Sequence, residues 1–125
     1  MKVITIRQPW ASLIINGYKE YEFRSWKTKH RGELLIHASK GFNKEEILKF
    51  KELNIDFPTG CIMGKVILED CLKVDDNLEK ELTQKNKLVY GLTKNRGGYA
   101  WKLSNPIKVD KVYINGKLSL WDYKR

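Results

Sequence analysis

The chain has 125 residues, of which 42% are hydrophobic, so it has enough apolar material to bury one core as a single domain over residues 1–125. That composition excludes a disordered polar chain, and the apolar runs are too short to span a bilayer. The formal charge of +9 favours an anionic partner, nucleic acid before a membrane surface.

Val3 to Arg7 alternates and is β-branched, which predicts a strand. Pro9 fits the first turn of a helix near residues 9–16, whose apolar face carries Trp10, Leu13 and Ile14 and which Gly17 terminates. Lys19 to Ser25 alternates again. Tyr21 and Phe23 point one way; Glu20, Glu22 and Arg24 point the other. Lys27 to Arg31 is a basic loop, and Leu34 to Ala38 an interior strand. Asn43 caps a helix with Glu46 three residues on, and Ile47, Phe50 and Leu53 form its buried stripe. A turn at Pro58-Thr59-Gly60 leads to a strand over Cys61 to Leu68 with Gly64 as a bulge. Asp75 to Asn77 caps a polar helix over about 78–88. A turn at Arg96-Gly97-Gly98 precedes a strand from Tyr99, which Pro106 interrupts and which resumes from Ile107 to Tyr113. Asn115-Gly116 reads as a tight hairpin turn. The strands number five or six and the helices two or three. Short, turn-rich connections predict a mixed, mostly antiparallel barrel of α+β class.

Cys61 and Cys71 on one extended segment would lie about 33 Å apart, too far to bridge, and both read as packing residues. Two cysteines without a Cys-x-x-Cys pair, and only two histidines, leave no expected metal site, and no cofactor is expected. The N-terminal residues lack a signal-peptide pattern, so a cytoplasmic, reducing location is expected. The oligomeric state stays open, with the monomer favoured.

Four features bear on function. Glu22 and Arg24 share a strand face that Lys19 can reach. A carboxylate between two cations could accept from an exocyclic amine while the cations grip a phosphate or carbonyl. It could also act as a general base beside a cation that stabilises developing charge. On spacing, an ion-pair network at the barrel mouth is the simpler account. Trp10, Trp26 and Trp121 are interleaved with basic residues, as in proteins that stack bases, and Trp26 beside the basic loop is the best stacking candidate. Trp10 and Trp101 fit a core better. Arg7, Lys27, Lys29, Arg31 and Lys40 could contact phosphates or simply face solvent. His37, inside an apolar run, reads as a satisfied interior histidine.

The segments Ile4-Thr5-Ile6-Arg7-Gln8-Pro9-Trp10-Ala11, Ile15 to Trp26, Arg31-Gly32 and Leu35-Ile36-His37-Ala38-Ser39-Lys40 together resemble the ASCH domain family. Gly17, Lys19, Glu22 and Arg24 match its Gly-x-Lys-x-x-Glu-x-Arg signature, and Gly98 to Trp101 with Asn105-Pro106 is similar to its later strand. The resemblance implies a PUA-like pseudo-barrel with a cleft between the first helix and the sheet, lined by the signature residues, and a role in RNA metabolism. One branch of the family hydrolyses N4-acetylcytidine with a threonine nucleophile where this chain has Glu22. Other members are linked to RNA cleavage or to DNA. The expected function is therefore an RNA- or nucleotide-binding module, with DNA as a possible partner and no membrane. The alternatives are a hydrolase, with Lys19 and Glu22 as its acid/base pair acting on a modified nucleoside or on RNA, and a protein-interaction module.

Overall fold

A computed structural model describes residues 1–90 and 98–124. Its six strands are β1 (Lys2–Gln8), β2 (Tyr21–Arg24), β3 (Gly32–Phe42), β4 (Cys61–Lys73), β5 (Tyr99–Tyr113) and β6 (Leu120–Asp122). They form one sheet in the order β2-β5-β4-β3-β1-β6. The β1/β3 pair is parallel and the other four are antiparallel, which gives the mixed, mostly antiparallel sheet that the turn pattern predicts. Four α-helices flank it among the described residues, α1 (Trp10–Ile15), α2 (Lys44–Leu48), α3 (Asp76–Lys85) and α4 (Lys87–Tyr90), with a 3₁₀ turn at Lys51–Leu53. The class is α+β.

The sheet curls. Three strands separate β2 from β1 in the order, and neighbouring strands lie about 4.8 Å apart. Yet Arg24 at the end of β2 donates from Nη2 to the Thr5 carbonyl of β1 at 2.8 Å. No side chain crosses three flat strands, so the two ends of the sheet approach each other as in an incomplete barrel.

Inside the curl lies a core that includes Ile4, Ile6, Ile14, Leu34, Ile36, Val66, Leu68 and Trp101. The helix α1 plugs it. Gln8 holds α1 in place: its side chain is fully buried, donates to Ser12 Oγ and the Pro58 carbonyl, and accepts from the Ser12 N–H. Opposite, Gly64 lets α1 lie directly on β4. A Cβ there would stand 2.4 Å from Ile15 Cδ1. Gly64→Ala is therefore expected to destabilise the fold by about 1–3 kcal/mol, read as a lower urea midpoint with an unchanged slope.

Several expectations need correcting. Pro106 does not break the strand, because β5 runs unbroken from Tyr99 to Tyr113. Lys65 pairs Ile107 and Ile67 pairs Ser104, so Asn105 and Pro106 face the single residue Val66. This is a bulge, where a missing N–H costs no ladder bond, and Asn105 takes it up with φ +51°. Asn115-Gly116 makes no hairpin. The chain leaves β5 and reaches β6, which pairs with β1, and Trp121 is buried with Val3, Leu35 and Ile62. The Asn43 cap forms, with its side chain accepting from the Glu46 N–H, but the helix lasts only five residues and Ile47 is only half-buried. The Arg96-Gly97 part of the expected turn lies outside the described residues. Cys61 and Cys71 are free, buried and on one strand; burial pushes the Cys61 thiol up, against the smaller opposing effect of Lys111.

Candidate functional site

The strand β2 is four residues long, and its alternation sorts its side chains. Tyr21 and Phe23 pack with Leu13, Phe50 and Tyr90 in a second apolar cluster. Glu22 and Arg24 turn to the other face. Gly17, at φ +85°, ends α1 and swings the chain so that Lys19 comes back over β2. The three residues meet. Lys19 Nζ lies 2.9 Å from Glu22 Oε1, and Arg24 Nη2 lies 3.1 Å from Glu22 Oε2. Lys19 Nζ also donates to the Tyr21 carbonyl and stands 5.3 Å from the Phe23 ring centroid and 5.9 Å from that of Trp10.

Exposure decides what such a cluster can do. The Lys19 side chain is 5% exposed, Glu22 12% and Arg24 23%. Burial is the largest single influence on the Glu22 carboxyl and pushes its pKa up. The charges of Lys19 and Arg24, with their hydrogen bonds, together outweigh it and hold the group below the usual carboxylate range. Glu22 is thus an ionised counter-charge with a cation on each oxygen. Its lowered pKa is the opposite of the raised value that suits a general base.

A cavity of about 310 Å³ opens beside the cluster. Ile14, Val66 and Leu103 give it an apolar floor; Lys19, Glu20, Lys102, Ser104 and Asn105 supply polar groups at its wall. The bulge at Asn105-Pro106 builds one side of it, between the end of α1 and the sheet. Glu22 is not among its lining residues; it stands behind Lys19. The sequence reading missed Lys102 and Asn105, although Asn105-Pro106 carried part of the family resemblance. The bulge that brings them to the cavity depends on register with β4, which local patterning does not encode.

The other candidates scatter. Trp26 is half-buried and sits edge-on to Trp101, with ring centroids 4.9 Å apart, so much of its surface is spent on the core. Trp10 is half-buried between the first two apolar clusters. Lys27 and Lys29 are exposed. Arg31 donates to the Thr28 and His30 carbonyls and lies 3.7 Å from Asp70. Arg7 is exposed and reaches the Phe42 carbonyl at 3.4 Å. Lys40 lines a different cavity, on the face of the sheet away from α1. Among the described residues, no group of three metal-ligating side chains occurs and no helix is long and apolar enough to cross a membrane.

The ASCH domain model matches residues 4–113. Activating signal cointegrator 1 from Homo sapiens and from Mus musculus are each 41% identical to this chain over 81 residues; the match takes in 55% of this chain and 14% of each relative. The chain therefore corresponds to a small part of those relatives. Among solved structures, an ASCH protein from Zymomonas mobilis superposes with a TM-score of 0.66 at 15% identity, covering 99% of this chain and 87% of its own. A variant of that protein gives 0.64 at 16%, covering 99% and 90%. At such identities the likeness speaks for the fold.

Proposed function

The chain belongs to the ASCH domain family, with its PUA-like α+β fold, and from that premise we propose that it is an RNA- or nucleotide-binding module whose ligand enters the cavity beside Lys19. The observation that carries this reading is the pairing of an apolar slot with a buried cation at its wall. An apolar floor accepts the face of a base. Lys19, held by Glu22, and Lys102 at the rim meet a carbonyl or phosphate. The volume lies at the small end of the range for ligand pockets, which suits one base. Glu22 serves this reading as the group that fixes Lys19 and Arg24. The exposed Lys27 and Lys29 then extend the positive surface along the backbone of a longer strand. A hydrolase that used Glu22 as its base gains little support from a doubly paired, acidified carboxylate.

Fluorescence anisotropy with a labelled single-stranded RNA tests the proposal. If four phosphates are neutralised, affinity falls about 50-fold between roughly 50 and 200 mM salt. Lys102→Ala, at an exposed position, lowers the logarithmic salt slope by about 0.7. No binding at the lower salt, or a slope unchanged in Lys102→Ala and in Lys27→Ala/Lys29→Ala, would sink it. Turnover of N4-acetylcytidine above a Lys19→Ala control would instead make the site an enzyme's.

A further inference from the structure

Tyr90, the last residue of α4, is 3% exposed and lies 70 residues along the chain from Glu20. Its hydroxyl oxygen accepts the Glu20 N–H at 2.9 Å. The Glu20 carbonyl in turn accepts from the Leu103 N–H at 2.8 Å, and the Glu20 carboxylate lies 2.6 Å from Lys85 Nζ of α3. Glu20 is therefore held through its amide, its carbonyl and its side chain. Lys19, immediately before it, donates its own N–H to the Leu13 carbonyl of α1 at 3.1 Å. Lys19 and Glu20 both line the cavity of about 310 Å³.

The ring of Tyr90 acts on the same lysine by a second route. It sits edge-on to Tyr21 and to Phe23, with centroids 6.5 and 6.2 Å away. Phe23 is a ring over which Lys19 Nζ stands, 5.3 Å from the centroid. An aromatic face attracts an ammonium, so whatever fixes the Phe23 ring helps to fix the cation. The same apolar cluster includes Leu13 of α1, whose neighbour Ile14 floors the cavity. The helices α3 and α4 thus pack behind both parts of the site, α1 and the stretch from Lys19 to Phe23. The Lys85–Glu20 pair, with each side chain about half exposed, adds little to that grip. The buried hydroxyl and ring of Tyr90 carry it.

We propose that Tyr90 is a positioning residue for the cavity: its hydroxyl holds the Glu20 backbone, its ring holds Phe23, and together they fix the Lys19 ammonium at the wall where a ligand meets it. The proposal rests on the reading of this cavity as an RNA or nucleotide site and adds to it a residue of α4 that stands behind the wall. The coupling is reciprocal. What Tyr90 does for the ligand, the ligand does for Tyr90, so binding at Lys19 tightens the bond between Glu20 and Tyr90.

Tyr90→Phe keeps the ring and removes the hydroxyl. It is expected to weaken the binding of a labelled single-stranded RNA about three- to tenfold, the worth of one hydrogen bond. It is also expected to move the ¹⁵N resonance of the Lys19 ammonium in the free protein. Val3→Ala, in the separate cluster with Leu35, Ile62 and Trp121, controls for stability alone. It is expected to lower the urea midpoint and to leave both the RNA affinity and the Lys19 resonance unchanged. If Tyr90→Phe fails to fold, the wild type decides: RNA is expected to slow exchange of the Glu20 amide proton, and an unchanged rate overturns the proposal. Unchanged RNA affinity in Tyr90→Phe, or an equal loss in Val3→Ala, would overturn the role of Tyr90 and leave RNA binding standing. If the wild type binds no RNA, the reading of the cavity falls; a Lys19 resonance unmoved in Tyr90→Phe then overturns the positioning as well, and a moved one upholds it.

Discussion

Replacing Glu22 with alanine is expected to cost about 3–5 kcal/mol of folding free energy. The change leaves Lys19, at 5% exposure, and Arg24 facing each other with no counter-charge between them. Most of the loss is the penalty for two stranded cations, so it exceeds what a surface pair would give. Glu22→Gln is expected to behave similarly near neutral pH. The two chains part company in acid. Because the folded carboxyl sits below its ordinary value, the unfolded chain binds the proton first as pH falls. Glu22's contribution is fully present above the ordinary glutamate value of about 4.3 and is lost as pH drops through the lower folded value. Urea midpoints measured across that window should converge for wild type and Glu22→Gln. Parallel curves would mean that Glu22 is not the titrating counter-charge.

Trp101→Ala is expected to cost a comparable amount, about 3–5 kcal/mol. Trp101 is fully buried, faces Glu22 across the β2/β5 ladder and Cys71 across the β4/β5 ladder, and takes the edge of Trp26. Its indole Nε1 has no hydrogen-bond partner. Trp101→Phe thus removes volume without breaking a bond, and relieves a buried unpaired donor. Its cost should stay near 1–2 kcal/mol by the same denaturation measurement. A Phe variant as damaged as the Ala variant would show that the indole N–H has a partner after all.

Much of this arrangement could be read before any coordinates. Alternation of Glu22 and Arg24 against Tyr21 and Phe23 put the two charges on one face, and Gly17 marked where the helix must end. Gly64 reads as a bulge, and the register does shift beside it against both β3 and β5; what the sequence does not show is Ile15 pressing on it from α1. What escaped depends on partners far along the chain. Pro106 reads as a strand breaker until its bulge is set against Val66. Asn115-Gly116 reads as a hairpin because local turn chemistry says nothing of which strand β6 will join. His37, set in an apolar run, reads as a satisfied interior histidine, but the structure pairs only Nε2, with the Ile114 carbonyl, and leaves Nδ1 without a partner.

The seam between β2 and β1 has a further consequence. β6 covers β1 only from Lys2 to Ile4, and at Thr5, just beyond it, a guanidinium meets the carbonyl. Uncovered strand edges invite another chain to add to the sheet, and natural proteins commonly blunt them with charge. Arg24 does so from inside the fold: its cation, neutralised by Glu22, closes an edge that a longer β6 would otherwise have to cover. The residue that completes the charge cluster thus also occupies a backbone carbonyl on the open edge of β1.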